Sequence, residues 1–346
     1  GAYDTVHGVL NSSDVFVAKL NTSGNLVYSS FLGGTDFDEG FDVVVDASGK
    51  AYITGNTFSN SAFPTKNRYQ GCGIPGVSSL DSEDAFLTVM NAAGSDITYS
   101  TCIGGNFTRD EAFSIALDSS NNAYLTGIAY GGNFPTKTAF QANSGGGDDA
   151  WVAKFNPTLS GNSSLIYSTY LGGVGTDIGK GIAVNSSNQA VVVGLTGSAN
   201  FPLQNAFRST NQINEGFVTV LSSTGATLAA SSFLGGADKD DAVNVALGSN
   251  GLIYVTGNTL SSNFPMALPF QATRDGVKDA FVSKLKFAVG VISSSYLGGN
   301  GNDGGEGIAV KGNFIYVGGQ SASNNLATTS GVIKTAFGGG SNDGFV

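Results

Sequence analysis

A chain of 346 residues with 51 Gly, 41% hydrophobic and only 12% charged residues is apolar enough to bury a core. Its glycines, lacking collagen's triplet, read as many tight turns, and the class suggested is all-β. A net charge of −10 with 16 Lys and Arg spread over the whole length excludes the clustered cations of a nucleic-acid partner. No stretch approaches the roughly 18 apolar residues of a membrane span, and no charged-apolar-small signal peptide opens the chain. With charges scarce, Asn, Ser and Thr are expected to carry the polar surface, which suits a secreted or cell-surface protein.

Residues 1 to 13 resemble the tail of a preceding unit, and Val346 falls in mid-strand, so the expectation is a processed or partial piece of a longer polypeptide. Asp14 to Leu20 alternates apolar and polar residues and predicts a strand, as does Leu26 to Leu32 after a polar turn; together they make a hairpin. Gly33-Gly34 follows, then Asp38, then a short apolar strand and Ala51 to Gly55, a second hairpin. Phe63-Pro64 punctuates the link to what comes next. Proline cannot donate to a sheet ladder, so the link is expected off the sheet, with its Phe wedged between neighbours. One connector, Gly71 to Glu83, is overlong.

The same order then returns. Asp14-Val-Phe-Val-Ala-Lys-Leu20 recurs as Asp84-Ala-Phe-Leu87, Asp149 to Phe155, Glu215 to Val218, Asp279 to Leu285 and Asp343 to Val346, at spacings of 70, 65, 66, 64 and 64 residues. The second strand recurs at Ile97 to Ile103, Leu165 to Leu171 and Val291 to Leu297. The Gly-Gly pair recurs at 104-105, 172-173, 235-236 and 298-299. Strands such as Gly181 to Val184 follow, and then Ala123 to Gly127, Ala190 to Gly194, Ile253 to Gly257 and Ile315 to Gly318. Self-similarity at a fixed period means one supersecondary unit copied and stacked, and four short strands in about 65 residues is the size of a propeller blade. The expectation is one domain over residues 1–346, with units beginning near 14, 84, 149, 215 and 279 and a sixth begun at 343, giving about five four-stranded blades. Two segments compete to complete the hairpin around Ile308 and Tyr316: Asp14 to Leu32, which would close a five-bladed ring, and Asp343 to Val346.

The runs Asp-Ala-Phe-Val-x-Lys-Leu, Tyr-Ser-x-Tyr-Leu-Gly-Gly, Gly-Ile-Ala-Val, Tyr-Val-Thr-Gly and Phe-Pro-Thr resemble the bacterial β-propeller repeat family of SBBP type. That resemblance implies a Gly-Ile-Ala-Val-like inner strand, an outer Asp-Ala-Phe-Val hairpin, and a place in large secreted or surface-anchored proteins. The fifth unit departs from the pattern, with Leu326-Ala-Thr-Thr in place of Phe-Pro.

The post-glycine acids Asp38, Asp110, Asp177, Asp240 and Asp303 recur in every unit. Asp36 with Asp38, and Asp238 with Asp240, have the oxygen-rich spacing of weak calcium candidates. An acid in every unit is more simply a turn residue accepting backbone N–H groups. Cys72 and Cys102 read equally as one bridge stapling the long connector or as two free thiols. His7, the only histidine, lies in a terminal tail and is discounted for catalysis. Trp151 stands where other copies have Phe and is expected in the core. Gly299 to Gly304 fits a dinucleotide fingerprint but precedes a strand, so it is a false match.

Copies related by rotation share one environment, whereas a catalytic acid pair needs two, so the recurring acids argue against chemistry. The expected function is a non-catalytic extracellular structural or adhesion-type module, with protein or glycan partners at the cell surface or other domains of the same polypeptide. One alternative is a propeller lyase or glycosidase with a central-channel site, for which Arg109, Lys180, Asp238 and Lys239 are the irregular residues. Another is a subunit that self-associates through incomplete terminal blades.

Overall fold

The computed structural model describes residues 2–7, 12–73, 82–106, 108–212, 214–330, 332–334 and 336–346. The fold is all-β, a five-blade β-propeller whose complete blades are four-stranded antiparallel sheets. Among the described residues helix is confined to short 3-10 turns, and no helix is long and apolar enough to cross a membrane. The chain divides into two compact units, Gly1–Gly172 with Thr224–Thr227, and Gly173–Ser223 with Leu228–Val346.

Unit 1 opens with a two-stranded sheet of β1 (Val15–Leu20) and β2 (Leu26–Leu32). Next come β3 (Asp38–Val45), β4 (Ala51–Thr57), β5 (Asp84–Met90) and β6 (Ile97–Ile103), ordered 3-4-5-6. A second four-stranded sheet holds β7 (Asp110–Leu117), β8 (Ala123–Ala129), β9 (Asp149–Phe155) and β10 (Leu165–Leu171). β7 packs across β3, β4 and β5, and the face between them buries Tyr52, Leu87, Tyr99, Trp151, Phe155 and Tyr170.

Unit 2 repeats this with β11 (Asp177–Val184), β12 (Ala190–Thr196), β13 (Glu215–Leu221) and β14 (Leu228–Leu234), then β15 (Asp240–Leu247), β16 (Ile253–Thr259), β17 (Asp279–Lys286) and β18 (Gly290–Leu297). A three-stranded sheet of β19 (Asp303–Lys311), β20 (Phe314–Ser321) and β21 (Asp343–Phe345) follows. β15 lies across β11 to β13 and β19 across β15 to β17, around Val193, Val218, Val255, Phe281 and Tyr296. Of the two segments competing for β20, the one that pairs with it is Asp343–Phe345.

Sequence period and sheet are half a blade out of step. The period that starts at Asp84 supplies strands three and four of one sheet, β5 and β6, and strands one and two of the next, β7 and β8. The junction is fixed by register: Thr57 opposes Asp84, Ala129 opposes Asp149, Thr196 opposes Glu215 and Thr259 opposes Asp279.

The middle strands β4, β5, β8, β9, β12 and β13 are buried along their whole length, on both faces. Ser and Thr, expected to carry the polar surface, also follow these strands inside. The hydroxyls of Thr54, Thr126 and Thr256 each donate to a carbonyl of the next strand at 2.8 Å, those of Phe86, Trp151 and Phe281. Thr88 with Ser100, Thr219 with Ser231 and Ser283 with Ser294 form hydroxyl pairs at 2.8 Å. A hydroxyl satisfied in this way is small and costs little to bury, so two sheets can close on it.

The Phe-Pro link does not leave the sheet. Phe63, Phe134, Phe201 and Phe264 are buried and stack on strand three of their own sheet, with ring centroids 4.8, 4.8, 4.6 and 4.4 Å from Phe86, Trp151, Phe217 and Phe281. Two residues beyond each proline, Lys66, Lys137, Gln204 and Ala267 bridge to Ser100, Ser168, Ser231 and Ser294 on strand four. Proline's missing donor is bypassed, and the open edge of the blade is covered.

Candidate functional site

Each Gly-Gly pair lies in the turn from strand four to the first strand of the next sheet, and the acid that follows is the first residue of that strand. In unit 1 the amide of Gly34 donates to Asp38 Oδ2 at 2.8 Å and that of Gly105 to Asp110 Oδ2 at 2.7 Å. In unit 2 Gly173, Gly236 and Gly299 donate to Asp177, Asp240 and Asp303 at 2.7, 2.6 and 2.7 Å. A serine from the end of strand two adds a hydroxyl donor: Ser59 to Asp38, Ser198 to Asp177, Ser261 to Asp240 and Ser323 to Asp303, at 2.6–2.8 Å. Thr57 and Ser321 also donate to the second oxygens of Asp38 and Asp303.

The acid that opens strand three fastens the connector that leads into it. Asp84 accepts from the Gly73 amide at 2.5 Å, Asp149 from Gly145 at 2.7 Å, and Glu215 from Gln212 at 3.0 Å and the Arg208 guanidinium at 2.6 Å. Two carboxylates flank the first glycine of the pair at Gly33, Gly104 and Gly235. A β-carbon on Gly33 would lie 2.5 Å from Asp14 Oδ1 and 2.7 Å from Asp38 Oδ2, so no side chain fits there. Burial pushes Asp38 and Asp84 up to about 6, and raises Asp149, Glu215, Asp240 and Asp279 as well.

The calcium candidates occupy two separate turns, one in each unit. In each pair the inner carboxylate, Asp38 or Asp240, is buried and already bound to amide and hydroxyl donors. The outer residues are half-buried Asp36 and exposed Asp238, whose backbone amides donate to Ser59 and Ser261 at 2.9 Å. Among the described residues no three His, Cys, Asp or Glu side chains gather as a metal site.

One junction breaks the repeat. Where other blades carry Thr or Ser, the second blade has Ala129 and Gly131, so Asp110 receives a hydroxyl only from Thr108, at 3.0 Å, and burial pushes it up to about 7. Beside it stands Glu83, buried and accepting from the Asn56 amide, with Arg109 Nε 3.9 Å away. Burial, with the nearby Glu111 carboxylate, pushes Glu83 up to about 8, so it holds a proton at neutral pH. Such a group can donate a hydrogen bond or a proton. The matching position is Ser13, Asp148, Asn214, Lys278 or Asn342 in the other copies, so no motif announces Glu83, and sequence reasoning missed it. The polar cavity of about 540 Å³ in unit 1 opens among Arg68, Gln70, Cys72, Gly105 and Asn133 and is not lined by Glu83.

Of the irregular residues, Arg109 is largely exposed and lies 5.9 Å over the Phe58 ring. Lys180 pairs with Asp241 at 2.5 Å, joining β11 to β15. Asp238 and Lys239 are exposed in the turn before β15. Cys72 and Cys102 form a disulfide that ties the start of the long connector to β6; the rest of that connector, residues 74–81, lies outside the described residues. Trp151 is fully buried and its indole donates to the Glu111 carbonyl at 3.2 Å, while His7 lies edge-on to Phe31 at 5.6 Å.

A curated relative, the regulatory protein FlaEY of Caulobacter vibrioides, is 25% identical over 333 residues, covering 91% of this chain; the chain spans 33% of that protein's length. A solved structure described as that of the Dos1 propeller covers 89% of this chain and 69% of its own, with 11% identity and a TM-score of 0.37. Residues 98–135, from β6 through the Gly104-Gly105 turn to Phe134-Pro135, match the family model described as SBBP, a beta-propeller repeat, and with this pattern recurring on either side the resemblance to the SBBP-type repeat family is shown.

Proposed function

We propose that the chain is a non-catalytic structural or interaction module of a secreted or surface protein, acting as one domain and engaging protein or glycan through its loops. The observation that carries this reading is how the recurring acids are used. Asp38, Asp110, Asp177, Asp240 and Asp303 each spend a carboxylate oxygen on the glycine amide of their own turn. A group held in that way, by the same amide in every copy and by a matching serine in all but that of Asp110, is a structural fastener rather than half of an acid–base pair. The Cys72–Cys102 bridge supports an oxidising, extracellular setting. Likeness to a protein named as regulatory supports action by binding. A catalytic reading would rest on Glu83 with Arg109, and two of the acids that act on Glu83, Asp110 and Glu111, are themselves raised by burial rather than held in the ionised form.

Glycan-array and cell-envelope binding assays, run beside substrate panels for lyases and glycosidases, test the proposal. Saturable binding without turnover is expected. Steady turnover that disappears in Glu83→Gln would overturn it.

A further inference from the structure

In other copies side chains around the Gly-Gly turn accept from its amides. Gly172 and Gly298 donate to Gln141 and Gln271 Oε1 at 3.1 Å, and Val174, Ala237 and Asn300 donate to Asn200, Asn263 and Asn325 Oδ1 at 2.7–2.9 Å. At Gly104-Gly105-Asn106 the matching side chains are reversed. Gln70 donates to the Gly104 carbonyl at 2.9 Å and Asn133 to the Asn106 carbonyl at 2.7 Å. Among the described residues the amides of Gly104 and Asn106 are therefore left without an acceptor.

The cavity of about 540 Å³ in unit 1 opens on this turn, and Gly104, Asn106 and Arg68 all line it. The Arg68 guanidinium lies against Gly71, its Cζ 3.6 Å from where a β-carbon would be, and donates to Thr65 Oγ1 at 2.9 Å. Among the described residues it has no carboxylate partner. The repeat does not ask for an arginine there, since its counterparts in the other Phe-Pro links are Ala139, Ala206 and Pro269.

Donors without acceptors around one cavity suit an anion with several oxygens, and a planar carboxylate matches the paired N–H groups of a guanidinium. Among the described residues no carboxylate lines the cavity. Asp84 and Asp110 bond the neighbouring amides of Gly73 and Gly105, and burial favours their uncharged forms, which lessens their repulsion of an anion. Ser61, Thr65, Gln70 and Asn133 add hydroxyl and amide groups to the walls, whereas the apolar lining residues, Phe63 and Cys72, are buried. Such walls suit sugar hydroxyls and give little seat to an apolar peptide side chain, and the volume is that of a small-molecule site. The Cys72–Cys102 bridge ties the wall at Cys72 to β6, so little order is lost on binding.

We propose that this cavity binds an acidic sugar unit of a glycan, its carboxylate held by Arg68 and the amides of Gly104 and Asn106. The inference deepens the function proposed above and rests on its glycan-binding form.

Calorimetric titration of the full chain with digalacturonic acid, with its methyl diester and with a short oligoglutamate peptide tests it. The acid should bind saturably, and the ester, which keeps the hydroxyls but lacks the charge, about tenfold or more weaker. Arg68→Ala, which places at this exposed site the residue that two other links carry, should weaken the acid to the level of the ester and leave the melting temperature unchanged. Arg68→Lys keeps the charge without the paired donors and should fall between the two, so the comparison survives a failure of the alanine variant to fold. Absence of saturable binding by the acid overturns the proposal, as does binding that neither variant weakens. A peptide that binds as tightly as the acid overturns the sugar assignment. Binding of other glycans or of proteins that Arg68→Ala leaves unchanged, with no binding of the acid, removes this site and keeps the module reading; turnover of a substrate removes that reading itself.

Discussion

The backbone carbonyl of Ile178 passes so close to Gly194 that a β-carbon on that glycine would sit 1.8 Å from its oxygen. The contact follows from a bulge between Gly179 and Gly181 on β11, which presses the strand against its partner β12. Gly55, Gly127, Gly257 and Gly319 meet Glu39, Glu111, Asp241 and Gly304 in the same way, at 1.7–1.9 Å. The glycine of each Tyr-Val-Thr-Gly motif is thereby explained. Gly194→Ala must flatten the bulge or part the strands, and is expected to cost about 2–4 kcal/mol in urea unfolding. A cost within error of zero would show that the bulge relaxes freely.

Asp240 holds the Gly236 amide and the Ser261 hydroxyl in a buried turn. Asp240→Ala strands both donors and is expected to cost about 3 kcal/mol. Asp240→Asn keeps an acceptor for them and is expected to cost about 1 kcal/mol, because burial already favours the uncharged form. Equal losses in the two variants would mean that charge, not the hydrogen bonds, fastens the turn. The measurement is a pair of denaturant titrations against the unaltered protein.

Strands two, three and four could be read from alternation and recurrence; Asp149–Phe155 and Leu165–Leu171 have the same limits in sequence and structure. The first strand was legible only in its apolar half. β11 begins at Asp177, and its opening Asp-Ile-Gly-Lys, broken by the bulge, shows neither period. The recurring acids stood out as turn residues, but their burial did not, because it depends on a serine such as Ser198, 21 positions from Asp177. Glu83 was illegible for another reason: a residue that departs from a repeat has nothing in its own neighbourhood to mark it.

The buried acids set a pH dependence of known sign. Asp38 and Asp84 are pushed up to about 6, Asp110 to about 7 and Glu83 to about 8, chiefly by burial. Their folded forms hold the proton more tightly than the unfolded chain does. The stability they contribute is therefore full below the ordinary carboxylate range, near pH 4, and is lost as pH rises through about 6 to 8. Asp46 and Asp118 act in the opposite sense. Burial would raise them, but hydrogen bonds, led by those from Ser48 and Asn122, hold them low, so their contribution fades in stronger acid. Calorimetry should find the highest melting temperature near pH 5, falling towards pH 8. Glu83→Gln should flatten the alkaline part of that fall, and an unchanged slope would remove Glu83 from the account.

Cys72 and Cys102 are 30 positions apart, and the bridge shortens the loop that the unfolded chain can explore. A loop of that length corresponds to about 3–4 kcal/mol in the chain-entropy account. Thermal unfolding with and without a thiol reductant should differ by that amount, as should Cys102→Ser compared with the unreduced protein. Melting curves that superimpose would mean that packing around the link, with Phe63 on Phe86, holds it without the bond.

Thr138 occupies the left-handed region at φ 48°, in the link after Phe134-Pro135. The matching positions in two other links are Asn67 and Asn205, at 56° and 49°, and asparagine tolerates that conformation where a β-branched residue is strained. The bend is needed because the residue before it, Lys137, must turn back to bond with Ser168 on β10. Thr138→Asn is therefore expected to stabilise the protein by about 1 kcal/mol, and Thr138→Gly by less, since glycine also loosens the unfolded chain. The ordering matters more than the size. If relief of backbone strain is the cause, Asn67→Thr must destabilise by a comparable amount, and a neutral result there would leave any gain at Thr138 to some other contact.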